Sequence, residues 1–177
     1  MGVSKDGGGN ARRAVPRPFR WRRNRALMGR ARKGNPMPFV VKAEVADPDA
    51  KTFSFKAQKT MYGGKEIAVG DTVYIIASEN EGGPGLIAKG IVTAADHSAV
   101  AKPKGVARYT PRVSIEVKRT ATARRRLGRD ELRPYIGKPH IGKSGPRAEL
   151  ADRLYKQATD KIIAVSDAAA AFLQTFL

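Results

Sequence analysis

Apolar and polar residues alternate along two separated stretches of this chain. In residues 39–45, Phe39, Val41, Ala43 and Val45 share one face, the period of two expected of a half-buried strand. Residues 112–118 repeat the pattern with Val113, Ile115 and Val117. Between them lie two apolar runs, 73–77 and 86–95, joined by a connector holding Glu79, Asn80, Glu81 and a Gly-Gly-Pro-Gly turn. They predict strands over 72–77 and 87–93. Residues 52–55 read as a short strand or a loop, and Asp47-Pro48-Asp49 and Tyr62-Gly63-Gly64-Lys65 read as turns.

Helical signals come late. Ser144-Gly145-Pro146 opens one helix, with Pro near its first turn and Leu150, Leu154 and Ala158 on one face. Ser166 is placed to cap a second, with Asp167 favourable at its N-terminus and Phe172, Leu173 and Phe176 as its apolar face. Between them 161–165 is an apolar segment that fits either element type. Four or five strands with short connections, followed by helices, predict an α+β fold: a small, strongly bent sheet or barrel with helices at its side.

At 177 residues the chain is expected to form one domain with a tail. It has no cysteine and two histidines, so no thiolate or histidine-rich metal site is expected, and no cofactor. No apolar run reaches membrane-spanning length, and a cytoplasmic location without a membrane partner is the expectation. Charge changes the picture more. The formal net charge is +18, and it is segregated: residues 1–36 carry +10, residues 117–148 carry +8, and the rest is neutral. Two basic blocks on a neutral body point to a polyanion, DNA or RNA.

Residues 1–36, with three consecutive glycines and arginine clusters around Trp21, predict a disordered arm ahead of a domain spanning 37–177. Three readings of this arm stay open: a phosphate-binding arm, an arginine-rich transit peptide, or a segment foreign to the natural protein, whose start would be Met37. A second motif is set aside. Residues 137–144 match G-x-x-x-x-G-K-[ST], but no core strand precedes them and too little chain follows for further parallel βα units. They read as a basic loop leading into a helix.

The order of the remaining motifs is more specific. A basic follow-on to the first strand precedes Gly70-Asp71-Thr72-Val73-Tyr74-Ile75. The glycine-rich connector and then Gly85-Leu86-Ile87-Ala88-Lys89-Gly90-Ile91-Val92 come next. This resembles the core of the PUA-like superfamily and, within it, the EVE domain, where a G-D-x-V turn opens one strand and a G-I-x-G-x-V strand returns. Residues 112–118 look like a later barrel strand, and Gln157-Ala158-Thr159 with the helix after Ser166 like the closing segment. The Tyr-His-Ser ending typical after the Gly-Asp strand is here Ile76-Ala77-Ser78.

The resemblance implies a PUA-like bent barrel with flanking helices that binds nucleic acid and holds one modified or flipped base. Phe55, Tyr62, Tyr74 and Tyr109 are then candidates for stacking on that base. Ser78, Glu79 and Asn80 are candidates for reading its edge, Glu79 as acceptor for an exocyclic amine. Lys118, Arg119, Arg124, Arg125, Arg126 and Arg129 would hold the backbone. Competing readings place Tyr74 in the core and leave Glu79 and the arginines solvated. Another branch of the superfamily, ASCH, includes amidohydrolases of an acetylated nucleoside that use a Lys, a Thr and a Glu, which Lys59, Thr60 and Glu79 could imitate. Generic RNA binding is the plainest alternative. No nuclease signature is present, so any cleavage would fall to a partner nuclease. Nothing in the sequence sets an oligomeric state.

Overall fold

The computed structural model describes residues 37–97, 105, 109–157 and 160–177. The arm with Trp21 and the pair Ala158-Thr159 lie outside the described residues.

Six strands close into a mixed barrel: β1 (Pro38–Ala43), β2 (Thr52–Met61), β3 (Thr72–Ala77), β4 (Gly85–Asp96), β5 (Arg112–Thr122) and β6 (Lys161–Ala164), in the spatial order β1-β3-β4-β5-β2-β6. β1 runs parallel to β3 and β2 parallel to β6, and all other neighbours are antiparallel. Three helices, α1 (Arg129–Leu132), α2 (Gly145–Tyr155) and α3 (Asp167–Gln174), lie against the outside.

The alternation read from the sequence fills the barrel. Phe39, Val41, Val73, Ile75, Val113, Ile115 and Val117 meet Phe53, Phe55 and Ile162 in its interior. The other face of β1, β3 and β6 does not meet water. Val40, Tyr74, Ile76 and Ile163 pack under Leu132, Leu150, Leu154 and Leu173 of the helices. These strands are therefore buried on both faces, not half-buried, because the late helices cover the face expected to be wet.

Two lysines are caught in that covered layer. Lys42 and Lys161 face each other in the β1–β6 register, and both are almost wholly buried. The apolar segment 161–165 is thus the strand that closes the barrel.

The short strand expected at 52–55 is instead ten residues long. It is bent at Ala57, whose φ of 46° is unusual for a residue other than glycine. The Ala57 N–H donates to Ser114 Oγ at 2.9 Å, and its carbonyl accepts from the Arg112 guanidinium at 2.8 Å. The register shifts there between Phe55 and Gln58, which hides the strand's second half from a period-two reading. Both main helices start where expected. Pro146 lies in the first turn of α2, and Ser166 Oγ accepts the Ala169 N–H at 3.1 Å to cap α3.

Candidate nucleic-acid interface

The parallel strands β1 and β3 leave the barrel side by side at Ala43 and Ala77. The Ser78 N–H donates to the Ala43 carbonyl at 2.8 Å, and a single 3-10 turn, Glu79–Glu81, follows. This fastens the acidic connector over the end of β1, against the last turn of α2 and the start of α1.

Glu79 is the hub. Its Oε1 accepts the Arg129 backbone N–H at 2.7 Å and the Tyr155 hydroxyl at 2.8 Å. Its Oε2 lies 3.3 Å from Lys42 Nζ. The Lys42 ammonium also sits 4.1 Å from the centre of the Tyr155 ring, a cation–π contact in a desolvated place. Lys161, behind Lys42, donates to the Gln157 carbonyl.

Burial pulls the Lys42 pKa below the ordinary lysine value, with Glu79 pulling the other way. Burial also opposes the charge of Glu79. Its own backbone N–H, the Tyr155 hydroxyl, Lys42 and the Arg129 N–H outweigh burial and hold its carboxyl below the usual range. Burial and then the Glu79 charge push the Tyr155 phenol far up. Burial, reinforced by the Lys42 charge, lowers Lys161 to about 8.

In front of this cluster opens a cavity of about 230 Å³, lined by Lys42, Asn80, Arg129, Tyr155, Lys156 and Gln157 with Leu154. That is just under the range for drug-sized ligands and suits a single ring system. Among the described residues no group of three or more histidines and carboxylates is placed to hold a metal, and no helix is long and apolar enough to cross a membrane.

The candidates from the sequence divide. Asn80 and Arg129 line this cavity; Glu79 does not, but it is bonded to the lining residues Lys42 and Tyr155, and Ser78 beside it is buried. Phe55 does not reach it: it faces the barrel interior and stacks on Phe53 at 6.2 Å. Tyr74 is under α3, its hydroxyl donating to the Ala170 carbonyl at 3.0 Å. Tyr62 is 40% exposed, but it lies beside Ala164, at the end of β6 away from Lys161, beneath the Arg153 guanidinium at 5.6 Å. Tyr109 is half-buried just before β5 and does not line the cavity. The aromatic wall is instead Tyr155. Glu79 is no solvated turn residue, and its lysine is Lys42, not Lys59. The signals for both missed residues were slight: Lys42 interrupts the apolar run of β1, and Tyr155 follows Leu154 on the buried face of α2.

A second cavity of about 270 Å³ lies between Pro48, Asp49, Pro84, Leu86 and the three arginines Arg124, Arg125 and Arg126. The arginines are not equivalent. Arg126 is committed to Asp130 and Glu131 at 3.7 and 3.4 Å. Arg125 donates to the Thr175 carbonyl at 2.8 Å and lies over Phe176 at 4.6 Å. Arg124 is exposed. Lys118 is exposed on β5, and Arg119 is half-buried, with its N–H on the Lys51 carbonyl at 2.9 Å.

No family model matches the chain, and no curated protein is significantly similar to it. Solved structures do match. A hypothetical protein from Leishmania major is 19% identical with a TM-score of 0.51, covering 80% of this chain and 94% of its own. The human THYN1 protein in complex with DNA containing 5-methylcytosine is 12% identical with a TM-score of 0.53, covering 78% and 96%. The DUF55 domain of human thymocyte nuclear protein 1 is 14% identical with a TM-score of 0.51, covering 77% and 96%. The fold is thus the PUA-like barrel of EVE and DUF55 domains, as the Gly-Asp-Thr-Val and returning-strand motifs implied.

Proposed function

We propose that the protein is a nucleic-acid-binding module that takes one base, turned out of its stack, into the cavity at Lys42, Glu79 and Tyr155. The observation that carries this reading is the buried Lys42–Glu79 pair at the back of a ring-sized opening, rimmed by Arg129 and Lys156. Lys42 supplies a donor for a base carbonyl. Glu79, bonded to Lys42 from outside the cavity lining, holds that ammonium in place, and the amide oxygen of Asn80 on the lining supplies an acceptor for an exocyclic amine. On the edge of cytosine the carbonyl and the amine stand on either side of the ring nitrogen N3. A protein of the same fold binds DNA carrying 5-methylcytosine, so a modified cytosine is the first base to try. Lys118, Arg119 and Arg124 would meet phosphates outside the cavity.

The test compares oligonucleotides with modified and unmodified cytosine. Tyr155→Ala should reduce the preference by roughly 5- to 150-fold, the worth of ~1–3 kcal/mol of stacking. Arg124→Ala should weaken all of them alike. A parent protein that prefers no modified base would reduce the function to generic RNA or DNA binding.

One observation favours an enzymatic reading: a buried lysine of lowered pKa 3.3 Å from a carboxylate is the kind of pair that moves protons. Among the described residues no threonine lines the cavity; Thr159, two positions beyond the lining Gln157, lies outside the described residues. Release of acetate from an acetylated cytidine by the parent, lost in Lys42→Met, would establish hydrolysis.

A further inference from the structure

The loop 137–144, set aside above as a nucleotide motif, is fastened to the rim of the cavity. Asp152 of α2 holds it. Oδ1 accepts the Gly137 N–H at 2.7 Å, and Oδ2 meets His140 Nε2 at 3.0 Å. The same Oδ2 pairs with Lys156 Nζ at 2.9 Å, and Lys156 lines the cavity. The loop's far end is held by close approach: a Cβ on Gly145 would stand 3.0 Å from the His140 carbonyl carbon and oxygen. Burial opposes the Asp152 charge, but the Gly137 N–H, Lys156 and His140 outweigh it and keep the carboxyl below its usual range. The clamp is therefore ionised at neutral pH.

At the tip of this fastened loop stands Ile141, 75% exposed and the most exposed of the large apolar side chains described. A lone exposed apolar residue is ordinary. This one has two lysines near it in sequence. Lys138 and Lys143 flank it in sequence, both exposed, and the one carboxylate bonded to the loop, Asp152, is held by Gly137, His140 and Lys156. An exposed apolar tip between two lysines presents both an apolar and a cationic contact. It suits a base stack between two phosphate backbones, where isoleucine is among the side chains that wedge between steps.

We infer that Ile141 is a wedge that fills the gap left in a duplex when the neighbouring base enters the cavity, with Lys138 and Lys143 on the flanking phosphates. This rests on the reading of the cavity as a base pocket. Turning out a base costs unstacking and unpairing, and a wedge offsets that cost for a duplex but has far less to offset in a single strand, where no pair is broken.

The test uses the full chain, a DNA duplex with one 5-methylcytosine beside a 2-aminopurine reporter that brightens when unstacked, and the corresponding single strand. Ile141→Ser is expected to keep the parent melting temperature, bind the single strand within about twofold of the parent, and lose about tenfold in duplex affinity. Ile141→Leu should retain parent behaviour. If the parent brightens the reporter, Tyr155→Ala abolishes that, and Ile141→Ser does not change it, the wedge is overturned while the pocket stands. Equal losses on duplex and single strand would also overturn it. A parent that neither brightens the reporter nor prefers the modified base overturns both.

Discussion

Replacing Glu79 by Gln removes one charge and leaves most of the shape. The amide oxygen can still accept the Tyr155 hydroxyl and the Arg129 N–H. What is lost is the partner of Lys42, 3.3 Å away, with side chains only 14% and 3% exposed. Coulomb's law gives about 5 kcal/mol for that pair at an effective dielectric near 20. Uncoupling one member of a buried pair costs ~3–5 kcal/mol. Lys42 recovers part of this by shedding its proton more easily, so Glu79→Gln should cost roughly 2–4 kcal/mol. Urea unfolding at pH 7 and at descending pH reads it. The Glu79 carboxyl titrates below its unfolded value of about 4.3. Its contribution is therefore present above that pH and lost as pH falls through the folded pKa. Glu79→Gln should flatten that acid limb. Adding Lys42→Met should recover stability, since it removes the buried charge that Glu79→Gln leaves unpaired. A loss below ~0.5 kcal/mol, the size of a surface pair, or a double variant no more stable than the single, would refute the claim that this ion pair anchors the site.

Lys161→Met should stabilise the protein at pH 7 by up to ~3 kcal/mol, because the folded lysine titrates near 8. The unfolded one titrates near 10.4. Between those values the unfolded chain binds more protons, so parent stability should rise with pH and the variant's should lack that rise; denaturation at pH 7 and 10 compares them. Gly64→Ala should destabilise by more than ~3 kcal/mol in thermal melts, since its Cβ would stand 2.0 Å from the Ile162 carbonyl oxygen. Nucleic-acid affinity should fall with salt, with a log–log slope of about −5 if six phosphates of a duplex are met; a flat response in a titration would exclude backbone contact.

The barrel was legible where one face of a strand is apolar at every second residue, as at Phe39, Val41 and Ala43. It was not legible where a bend breaks the period, as at Ala57. The site was half legible. Glu79, Asn80 and Ser78 stood out as an acidic, amide-bearing connector in a basic chain, and Arg129 as part of a charge block. Lys42 and Tyr155 did not. A lysine in a strand and a tyrosine at a helix end ordinarily face water, and only the packing of α2 over β1 brings the two together. The stacking candidates Phe55 and Tyr74 failed for the matching reason. Large aromatics on strands of a closed barrel covered by helices go to one of its two apolar layers.

β6 lies between β1 and β2, which follow one another in sequence yet do not pair. During synthesis, therefore, the first five strands can form only an open sheet with β1 and β2 as its two raw edges. At ~5–20 residues per second, the stretch from the end of β5 at Thr122 to the end of β6 at Ala164 takes roughly two to eight seconds. Throughout that interval the edges stand ready to pair with another nascent chain. The same late segment delivers Tyr155 and Gln157, so the site and the barrel are completed together. Chaperone dependence of the newborn chain, more than the finished molecule's stability, should then set how much active protein a cell obtains.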